Sequence, residues 1–267
     1  MIEKLFCVIG YPLEHSLSPY IFNEIFKKLN LPYSYIKVSF PYEKLPNFIA
    51  SLEIFPIVGV SVTIPFKEKI IPFLDEIDEN VKQIKSLNTL YIKDGKIYGY
   101  NTDWIGIVEA LKGITDINSA LILGSGGTAR SSVYALGKLG VKEIYVSSRN
   151  PKTLENLKRE FGIRAIKWEQ REEIKTDMLV NTTPVGMKNY DESSPMRKET
   201  LKNFKYVFDV VYNPIKTKLI SFAEEMGCKT VYGIKMFVAQ AIEQLKIWTN
   251  KSFDKEELEK ILKDYLT

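Results

Sequence analysis

The fold is decided by residues 121–130, which read LILGSGGTAR. An apolar run typical of a buried strand meets glycines and then opens into a helical pattern that continues to about residue 139. Gly124, Gly126 and Ala129 fill the three small positions of a dinucleotide-binding fingerprint. The first allows a tight turn, the second lets a pyrophosphate approach the backbone, and the third lets helix and strand pack closely. A plain strand-to-helix turn produces the same pattern, so the flanking segments must decide between the two.

Short apolar runs alternate with helical patterns on both sides of this loop. They predict strands at residues 5–9, 34–40, 58–62, 88–92, 97–100, 143–146, 178–181, 207–211 and 230–232. They predict helices at residues 19–29, 42–52, 103–111, 216–226, 233–248 and 254–266, and a further helix that begins at Pro65. Asp94-Gly95 is a two-residue hairpin signal between two of the strands. The alternation predicts mostly parallel sheets in three-layer α/β domains.

The composition limits the classes of function. The chain has 267 residues, enough for roughly two domains, and 45% of them are hydrophobic. Its net charge of +4 comes without a basic block, which argues against a nucleic-acid partner. Cys7 and Cys228 form no C-x-x-C pair and His15 is the only histidine, so a disulfide framework, a metal site and Ser-His-Asp hydrolysis are disfavoured. We find no signal peptide and no apolar run long enough for a membrane, and we expect a cytoplasmic protein.

Polar residues follow predicted strands at the ends where parallel sheets bind ligands: Ser16, Thr63 and Lys67. Ser18 precedes Pro19, so it is either a helix N-cap or, with Ser16, a hydroxyl that contacts a small polar ligand. Lys67 is either functional or a surface lysine on the first turn of a helix.

Two later residues also have two interpretations. Asp103 either caps the helix that follows or contributes a carboxylate where the chain passes from the first domain to the second. Gln240 is a lone polar residue among small and apolar neighbours on a predicted helix. A buried amide needs hydrogen-bond partners, and a ligand can supply them.

The loop after the predicted strand 143–146 indicates the type of dinucleotide. An NAD site usually has Asp or Glu near here to accept a hydrogen bond from the ribose 2′-OH. This chain has Arg149 instead, with Lys152 close by. A solvated loop has a similar composition, but cations without an acid suit a 2′-phosphate and therefore favour NADP.

In their order along nearly the whole chain, these stretches resemble motifs of the shikimate dehydrogenase family. They are GYP at 10–12 with HSLSP at 15–19, VTIPFK at 62–67, NT at 88–89, NTD at 101–103, the loop at 124–128, NTT at 181–183 with Gly186, and MFVAQ at 236–240. Any one of them arises easily by chance, whereas the ordered set indicates the family.

The resemblance implies two three-layer α/β domains. A discontinuous catalytic domain, residues 1–104 with 236–267, would bind substrate, and residues 105–235 would form an inserted Rossmann-like NADP-binding domain. The implied reaction is the reversible reduction of 3-dehydroshikimate to shikimate with a hydride from NADPH. Lys67, with Asp103 beside it, would handle the proton.

The resemblance also implies the binding residues. By motif, substrate would be held by Ser16, Ser18, Thr63, Asn88, Asp103, Tyr212 and Gln240. The cofactor would be held by Gly124, Ser125, Gly126, Gly127, Thr128, Ser148, Arg149, Asn150, Lys152, Thr182, Val210 and Gly233.

The chain departs from the family pattern at two places. Ser61 stands where the family usually has Asn, and we expect its shorter side chain to loosen the local hydrogen bonding. Ser148-Arg149-Asn150 replaces the usual Asn-Arg-Thr and keeps the arginine on which the NADP preference depends.

Two other functions stay open at this point. One is a quinate or quinate/shikimate dehydrogenase of broader substrate or cofactor range, against which the paired serines 16 and 18 and Arg149 argue. The other is a non-catalytic nucleotide-binding regulator, since fold does not dictate function. The presence of both Lys67 and Asp103 argues against it. The sequence leaves open whether the protein is a monomer or a homodimer.

Overall fold

A computed structural model describes residues 3–14 and 16–266, so His15 lies outside the described residues. The chain divides into two compact units. The first contains the described residues up to Thr102 together with Gln240–Tyr265, and the second contains Asp103–Ala239.

The first unit is built on a six-stranded sheet. Its strands are β1 (Lys4–Gly10), β2 (Tyr33–Ser39), β3 (Ile57–Val62), β4 (Glu76–Ile77), β5 (Thr89–Lys93) and β6 (Lys96–Tyr100). Its first helices are α1 (Ser18–Lys28), α2 (Leu45–Ser51) and α3 (Glu79–Ile84), with 3₁₀ turns at Tyr42–Lys44 and Ile71–Phe73. The strand order is β2-β1-β3-β5-β6-β4.

This sheet is mixed. β1 is parallel to β2 and β3, whereas β5 is antiparallel to both β3 and β6. The hairpin between β5 and β6 forms as the sequence predicts, with left-handed φ values of 52° at Asp94 and 74° at Gly95. A turn that needs positive φ at both central residues matches the twist of the two strands. The antiparallel strand brings the start of β5 to the carboxyl end of β3, where Ser61 pairs with Thr89.

The second unit has a six-stranded sheet with all neighbours parallel. Its strands are β7 (Ser119–Leu123), β8 (Glu143–Ser148), β9 (Arg164–Lys167), β10 (Met178–Asn181), β11 (Tyr206–Asp209) and β12 (Lys229–Tyr232). The order β12-β11-β10-β7-β8-β9 is that of a doubly wound dinucleotide-binding sheet, with its switch point between β7 and β10. Its helices are α4 (Asp103–Ala110), α5 (Gly127–Lys138), α6 (Pro151–Phe161) and α7 (Lys218–Glu225), with 3₁₀ turns at Trp168–Glu173 and Lys198–Asn203.

The last two helices are α8 (Gly233–Thr249) and α9 (Lys255–Leu266). The second half of α8 belongs to the first unit, where the indole Nε1 of Trp248 donates to the Leu90 carbonyl at 2.8 Å. Gly59 makes this packing possible, because a Cβ there would lie 2.6 Å from the Phe6 ring and 2.7 Å from the indole. Gly59 therefore gives β3 the flat surface that Trp248 covers.

One predicted helix is wrong, and some elements, α3, β4, α6 and β9 among them, were not predicted. The predicted helix from Pro65 is a series of turns, because the Lys67 carbonyl accepts a long-range hydrogen bond from the Leu87 N–H at 2.9 Å and is not available to a helix. Helix α6 and strand β9 were not predicted, although Asn150 caps the start of α6 and Gly162 follows its end with φ of 69°. No helix in the described part of the chain is long and apolar enough to cross a membrane.

Candidate active site

Thr63 follows directly after β3 and is held against the end of β1. Its N–H donates to the Ile9 carbonyl at 3.0 Å, and its own carbonyl accepts from the Phe66 N–H at 2.9 Å. A Cβ on Gly10 would lie 2.5 Å from the Thr63 methyl, so this approach requires glycine at the end of β1. The half-buried Thr63 is thereby fixed at the carboxyl ends of two neighbouring strands.

Lys67 is tied through its backbone to the segment that carries Asn88. The Leu87 N–H donates to the Lys67 carbonyl at 2.9 Å, and the Val62 N–H donates to the Asn88 carbonyl at 2.8 Å. Lys67 is half-buried and lies on a turn, so the expected position on the first turn of a helix is wrong. The structure therefore brings the Thr63–Lys67 turn and Asn88 together.

Asn88 and Gln240 meet in the buried part of the first unit, with 3% and 8% of their surfaces exposed. Asn88 Nδ2 donates to Gln240 Oε1 at 3.2 Å and to Thr102 Oγ1 at 2.9 Å. Asn88 Oδ1 accepts from the Thr102 N–H at 2.7 Å. Because an N–H can only donate, this last bond fixes which end of the Asn88 amide is oxygen.

Asp103 follows Thr102 and begins α4. Its side chain is 4% exposed, and it is the acidic residue of the helix's first turn. Carboxylates are favoured at that end of a helix. Since the preceding N–H is bonded to Asn88, the backbone that leads into Asp103 is anchored to the buried amide.

The remaining predicted substrate residues are less closely connected. Ser16 is half-buried, and its N–H donates to the Leu13 carbonyl at 3.2 Å. Ser18 is not an N-cap: Leu17 holds that position and Ser18 is the first helical residue, 9% exposed. Tyr212 lies in the second unit, where its ring stacks on Phe237 of α8 with centroids 3.9 Å apart.

The glycine-rich loop of the second unit has the geometry that its sequence predicts. Gly124 has φ of 107°, and a Cβ there would lie 2.6 Å from Thr182 Oγ1. Thr182 uses that hydroxyl to donate to the Leu123 carbonyl at 2.6 Å, which ties the loop after β10 to the end of β7. The first glycine is therefore needed for both its conformation and its close contact.

The second glycine leaves space for a ligand. A Cβ on Gly126 would meet nothing within 4 Å, and Gly126 is the N-cap of α5. A glycine cap has no side chain to accept from the first helical N–H groups, and the first turn has no acidic residue. Such a helix start attracts a phosphate, so Gly124, Ser125, Gly126, Gly127 and Thr128 fit the diphosphate of a dinucleotide.

A cluster of hydroxyls joins this loop to the end of β8. Ser125 Oγ lies 2.7 Å from Ser148 Oγ and 2.6 Å from Thr153 Oγ1. Asn150 Oδ1 accepts from the N–H groups of Lys152 and Thr153 at 3.1 and 3.2 Å, so this oxygen caps α6. Thr153 is a member of the cluster that the sequence analysis did not identify.

Arg149 and Lys152 are exposed beside that cluster. The Arg149 guanidinium carbon lies 5.9 Å from the centre of the Trp168 ring, near which Arg171 also lies. An exposed arginine next to hydroxyl donors fits the additional phosphate of NADP better than the ribose hydroxyl of NAD.

A second buried network holds the loops after β10 and β11. Asp209 Oδ1 accepts from Asn181 Nδ2 at 2.9 Å and from the Val211 N–H at 3.1 Å, and Asp209 Oδ2 accepts from Thr217 Oγ1 at 2.6 Å. Desolvation by complete burial raises the pKa of Asp209 to about 7, against the lowering effect of these three donors.

Val210 and Gly233, the last two predicted cofactor residues, are in contact. A Cβ on Gly233 would lie 2.6 Å from the Val210 carbonyl oxygen, so α8 begins directly against the loop after β11. The Val210 N–H donates to the Asn181 carbonyl at 3.0 Å, which links this pair to the buried network around Asp209.

The expectation that Ser61 loosens its surroundings is wrong. Ser61 Oγ accepts from the Tyr35 hydroxyl at 2.6 Å and donates to Gln244 Oε1 at 2.8 Å. Gln244 is 2% exposed and was not identified from the sequence. Its position four residues after Gln240, on the same face of α8, is the signal that points to it.

Comparison with known proteins gives matches over both units. Residues 8–90 match the family model described as the shikimate dehydrogenase substrate binding domain, and residues 119–190 match that described as NADP oxidoreductase coenzyme F420-dependent. The shikimate dehydrogenase (NADP(+)) of Maridesulfovibrio salexigens is 38% identical over 266 residues, which cover 99% of this chain and 98% of that protein.

Solved structures of dehydrogenases also match nearly the whole chain. The shikimate 5-dehydrogenase of Thermus thermophilus in complex with NADP(H) and shikimate has a TM-score of 0.86 at 32% identity, over 98% of this chain and 99% of that one. The quinate dehydrogenase of Corynebacterium glutamicum in complex with NAD also has a TM-score of 0.86, at 25% identity and the same coverage of both chains.

Proposed function

Because the chain belongs to the shikimate dehydrogenase family, we propose that it catalyses the reversible, NADP-dependent reduction of 3-dehydroshikimate to shikimate. The observation that carries the proposal is the buried pair Asn88 and Gln240, whose amides are joined by a hydrogen bond of 3.2 Å. The residue before Asn88, Leu87, donates its N–H to the Lys67 carbonyl, so the pair lies close to Lys67 along the backbone. Buried amides at the carboxyl end of a strand suit a ligand rich in hydroxyls.

The residues of the second unit fit NADP. When bound, NADPH supplies the hydride that the ketone carbon receives. The N–H groups at Gly126, Gly127 and Thr128 would hold its diphosphate, and Gly124, Ser125, Thr182, Val210 and Gly233 would line the rest of the site. Arg149 and Lys152, with Ser148 and Asn150, would receive the 2′-phosphate.

Lys67 is the proposed proton donor. As the ketone carbon is reduced, negative charge develops on its oxygen, which the Lys67 ammonium stabilises before its Nζ–H proton passes to that oxygen. In the oxidation direction, neutral Lys67 Nζ takes the same proton back from the shikimate hydroxyl. The Asp103 carboxylate accepts a hydrogen bond from a neighbouring ring hydroxyl and so fixes the ring.

The other substrate residues divide by chemistry. Ser16 and Ser18 carry neutral hydroxyl donors that suit the substrate carboxylate. Thr63, Asn88, Tyr212 and Gln240 suit the ring hydroxyls. We assign residues 1–104 with 236–267 to substrate binding and residues 105–235 to NADP binding, an assignment that the positions of the two family-model matches support.

The test is the nicotinamide absorbance of the purified protein with shikimate and NADP⁺. We expect reduction of NADP⁺ by the wild type, and a kcat about 10²–10⁴-fold lower for Lys67→Ala with little change in shikimate KM. Lys69→Ala is the matched control, because that lysine is exposed and lies over the Tyr42 ring, 4.1 Å from its centre. Near-normal turnover by Lys67→Ala would remove this lysine from the mechanism.

Gln240 is tested separately through substrate affinity. Removing a buried hydrogen-bond partner costs about 1–3 kcal/mol, so Gln240→Ala should raise the KM for shikimate about tenfold. An unchanged KM would exclude Gln240 from the substrate site.

The same assay distinguishes the two other functions. Faster oxidation of quinate, or equal rates with NAD⁺ and NADP⁺, would identify a dehydrogenase of broader range. Binding of NADPH without oxidation by 3-dehydroshikimate would identify a nucleotide-binding regulator.

We also propose that the protein acts in the cytoplasm as a monomer or homodimer. The free thiols of Cys7 and Cys228 support a reducing compartment. Light scattering of the purified protein, with 30.7 kDa per chain, distinguishes the two assemblies, and cell fractionation tests the location.

A further inference from the structure

A continuous series of hydrogen bonds crosses the interior of the first unit and ends at the proposed substrate amides. We call it the amide relay, and its members in order are Tyr35, Ser61, Gln244, Thr89, Asn88 and Gln240. The successive distances are 2.6, 2.8, 2.9, 2.8 and 3.2 Å. All six side chains are buried, with between 0 and 8% of their surfaces exposed.

The direction of every bond in the amide relay follows from one backbone group. The Thr102 N–H donates to Asn88 Oδ1 at 2.7 Å, so Asn88 presents its oxygen to Thr102 and to Thr89. A carbonyl oxygen can only accept, so the Thr89 hydroxyl must give its single proton to Asn88. The hydroxyl oxygen of Thr89 then accepts from the amide nitrogen of Gln244.

The directions of the hydrogen bonds at the Tyr35 end of the amide relay follow in the same way. With Gln244 Nε2 bonded to Thr89 Oγ1 and to the Asn88 carbonyl, both at 2.9 Å, its Oε1 faces Ser61. Ser61 must donate to that oxygen, and so it accepts from the Tyr35 hydroxyl. Turning any one amide over would set donor against donor or acceptor against acceptor at buried positions.

From this geometry we propose that Thr89 and Gln244 are positioning residues that hold the orientation of the Asn88 and Gln240 amides in the proposed substrate site. The inference rests on the proposed function, since it concerns how the same site binds shikimate. Asn88 Nδ2 donates to Gln240 Oε1 and to Thr102 Oγ1, so both of its N–H groups are used and Gln240 Oε1 is held toward Asn88.

Thr89 acts on the substrate site only through the side chains that it bonds, because none of its own surface is exposed. Replacing its hydroxyl by a methyl group removes one of the donors to Asn88 Oδ1 and one of the two acceptors of Gln244 Nε2. The Asn88 amide then keeps its bonds to Thr102 but is held less firmly, and substrate affinity falls although no group that touches substrate has changed.

The experiment compares Thr89→Val with Thr89→Ser. Valine has nearly the shape of threonine without the hydroxyl, whereas serine keeps it. We expect Thr89→Val to raise the KM for shikimate about five- to tenfold, with kcat and the KM for NADP⁺ within about twofold of wild type. Thr89→Ser should stay within about twofold in all three, and Gln244→Met, which breaks the amide relay from the other side, should reproduce the change in shikimate KM.

The matched control is Thr176→Val in the second unit. Thr176 is 7% exposed and its hydroxyl donates to the Met178 carbonyl at 2.9 Å, so the variant measures the general effect of losing a buried threonine hydroxyl. It should lower the melting temperature without changing the KM for shikimate. A merely structural role for Thr89 predicts the same result for Thr89→Val, and that result would overturn the inference.

Hydrogen exchange of the Gln244 side-chain amide, followed by NMR without any ligand, separates the two proposals. Slow exchange in the wild type and faster exchange in Thr89→Val supports the amide relay even if shikimate is not oxidised. Fast exchange in the wild type contradicts the amide relay. Absence of shikimate oxidation by the wild type contradicts the proposed function instead.

Discussion

The buried carboxyl of Asp209 makes the stability of the protein depend on pH in an unusual direction. Its pKa is about 7 in the folded protein because of desolvation, against an ordinary value of 3.8. Between these two pH values the folded chain holds a proton that the unfolded chain has released. The free energy of unfolding therefore falls as pH rises through this window, and integration of the linkage relation gives a loss of about 2–3 kcal/mol between pH 5 and pH 8.

The substitution Asp209→Asn removes the titration and keeps the contacts. An asparagine oxygen at the Oδ1 position can accept from Asn181 Nδ2 and the Val211 N–H, and its amide nitrogen can donate to Thr217 Oγ1. The free energy of unfolding of the variant minus that of wild type should therefore rise by about 2–3 kcal/mol between pH 5 and pH 8.

Urea denaturation of both proteins at pH 5, 6, 7 and 8 measures this difference. The control is Asp191→Asn, because the exposed carboxyl of Asp191 has its pKa lowered by the Ser193 hydroxyl and backbone N–H and is ionised throughout this range. The difference in free energy of unfolding between Asp191→Asn and wild type should not change with pH. If the Asp209→Asn difference is equally constant, the folded carboxyl does not titrate near neutrality and the reasoning from burial is refuted.

Three substitutions test the dinucleotide site. Gly124→Ala should destabilise the protein by about 2–3 kcal/mol in urea and raise the KM for NADP⁺ at least tenfold, because a Cβ would lie 2.6 Å from Thr182 Oγ1 at a φ of 107°. Gly126→Ala should keep the free energy of unfolding within about 1 kcal/mol of wild type while raising the same KM, since its Cβ meets only open space until a phosphate binds. Arg149→Ala should lower kcat/KM for NADP⁺ about tenfold or more and leave that for NAD⁺ unchanged, and equal losses with both would show that Arg149 does not recognise the 2′-phosphate.

The sequence predicts those features that depend on residues close together in the chain. Gly124 could be assigned because a tight turn before a helix requires glycine whatever surrounds it. The hairpin at Asp94-Gly95 has the same local origin, and the cap at Asn150 would have revealed α6 had it been used as a helix start signal.

Long-range hydrogen bonds explain what the sequence could not predict. Lys67 lies on a turn instead of a helix because its carbonyl bonds to Leu87, twenty positions later. Ser61 is well bonded because Gln244, separated from it by 183 positions, reaches its hydroxyl. A pattern of neighbouring residues contains neither contact, so the expectation of loose bonding at Ser61 failed.

The polarity of the amide relay bears on the role of Asp103. Among the proposed substrate contacts, Lys67 donates, and the Thr102 N–H fixes the Asn88 amide with its nitrogen toward Gln240. The hydroxyl-bearing residues can donate or accept, and Asp103 is the one carboxylate among the proposed substrate contacts. Each ring hydroxyl that accepts a hydrogen bond must still place its own proton, and a carboxylate is the strongest acceptor for it. The preceding residue is the one whose N–H fixes the orientation of the Asn88 amide, so the chain places that anchor and the acceptor carboxylate at adjacent positions.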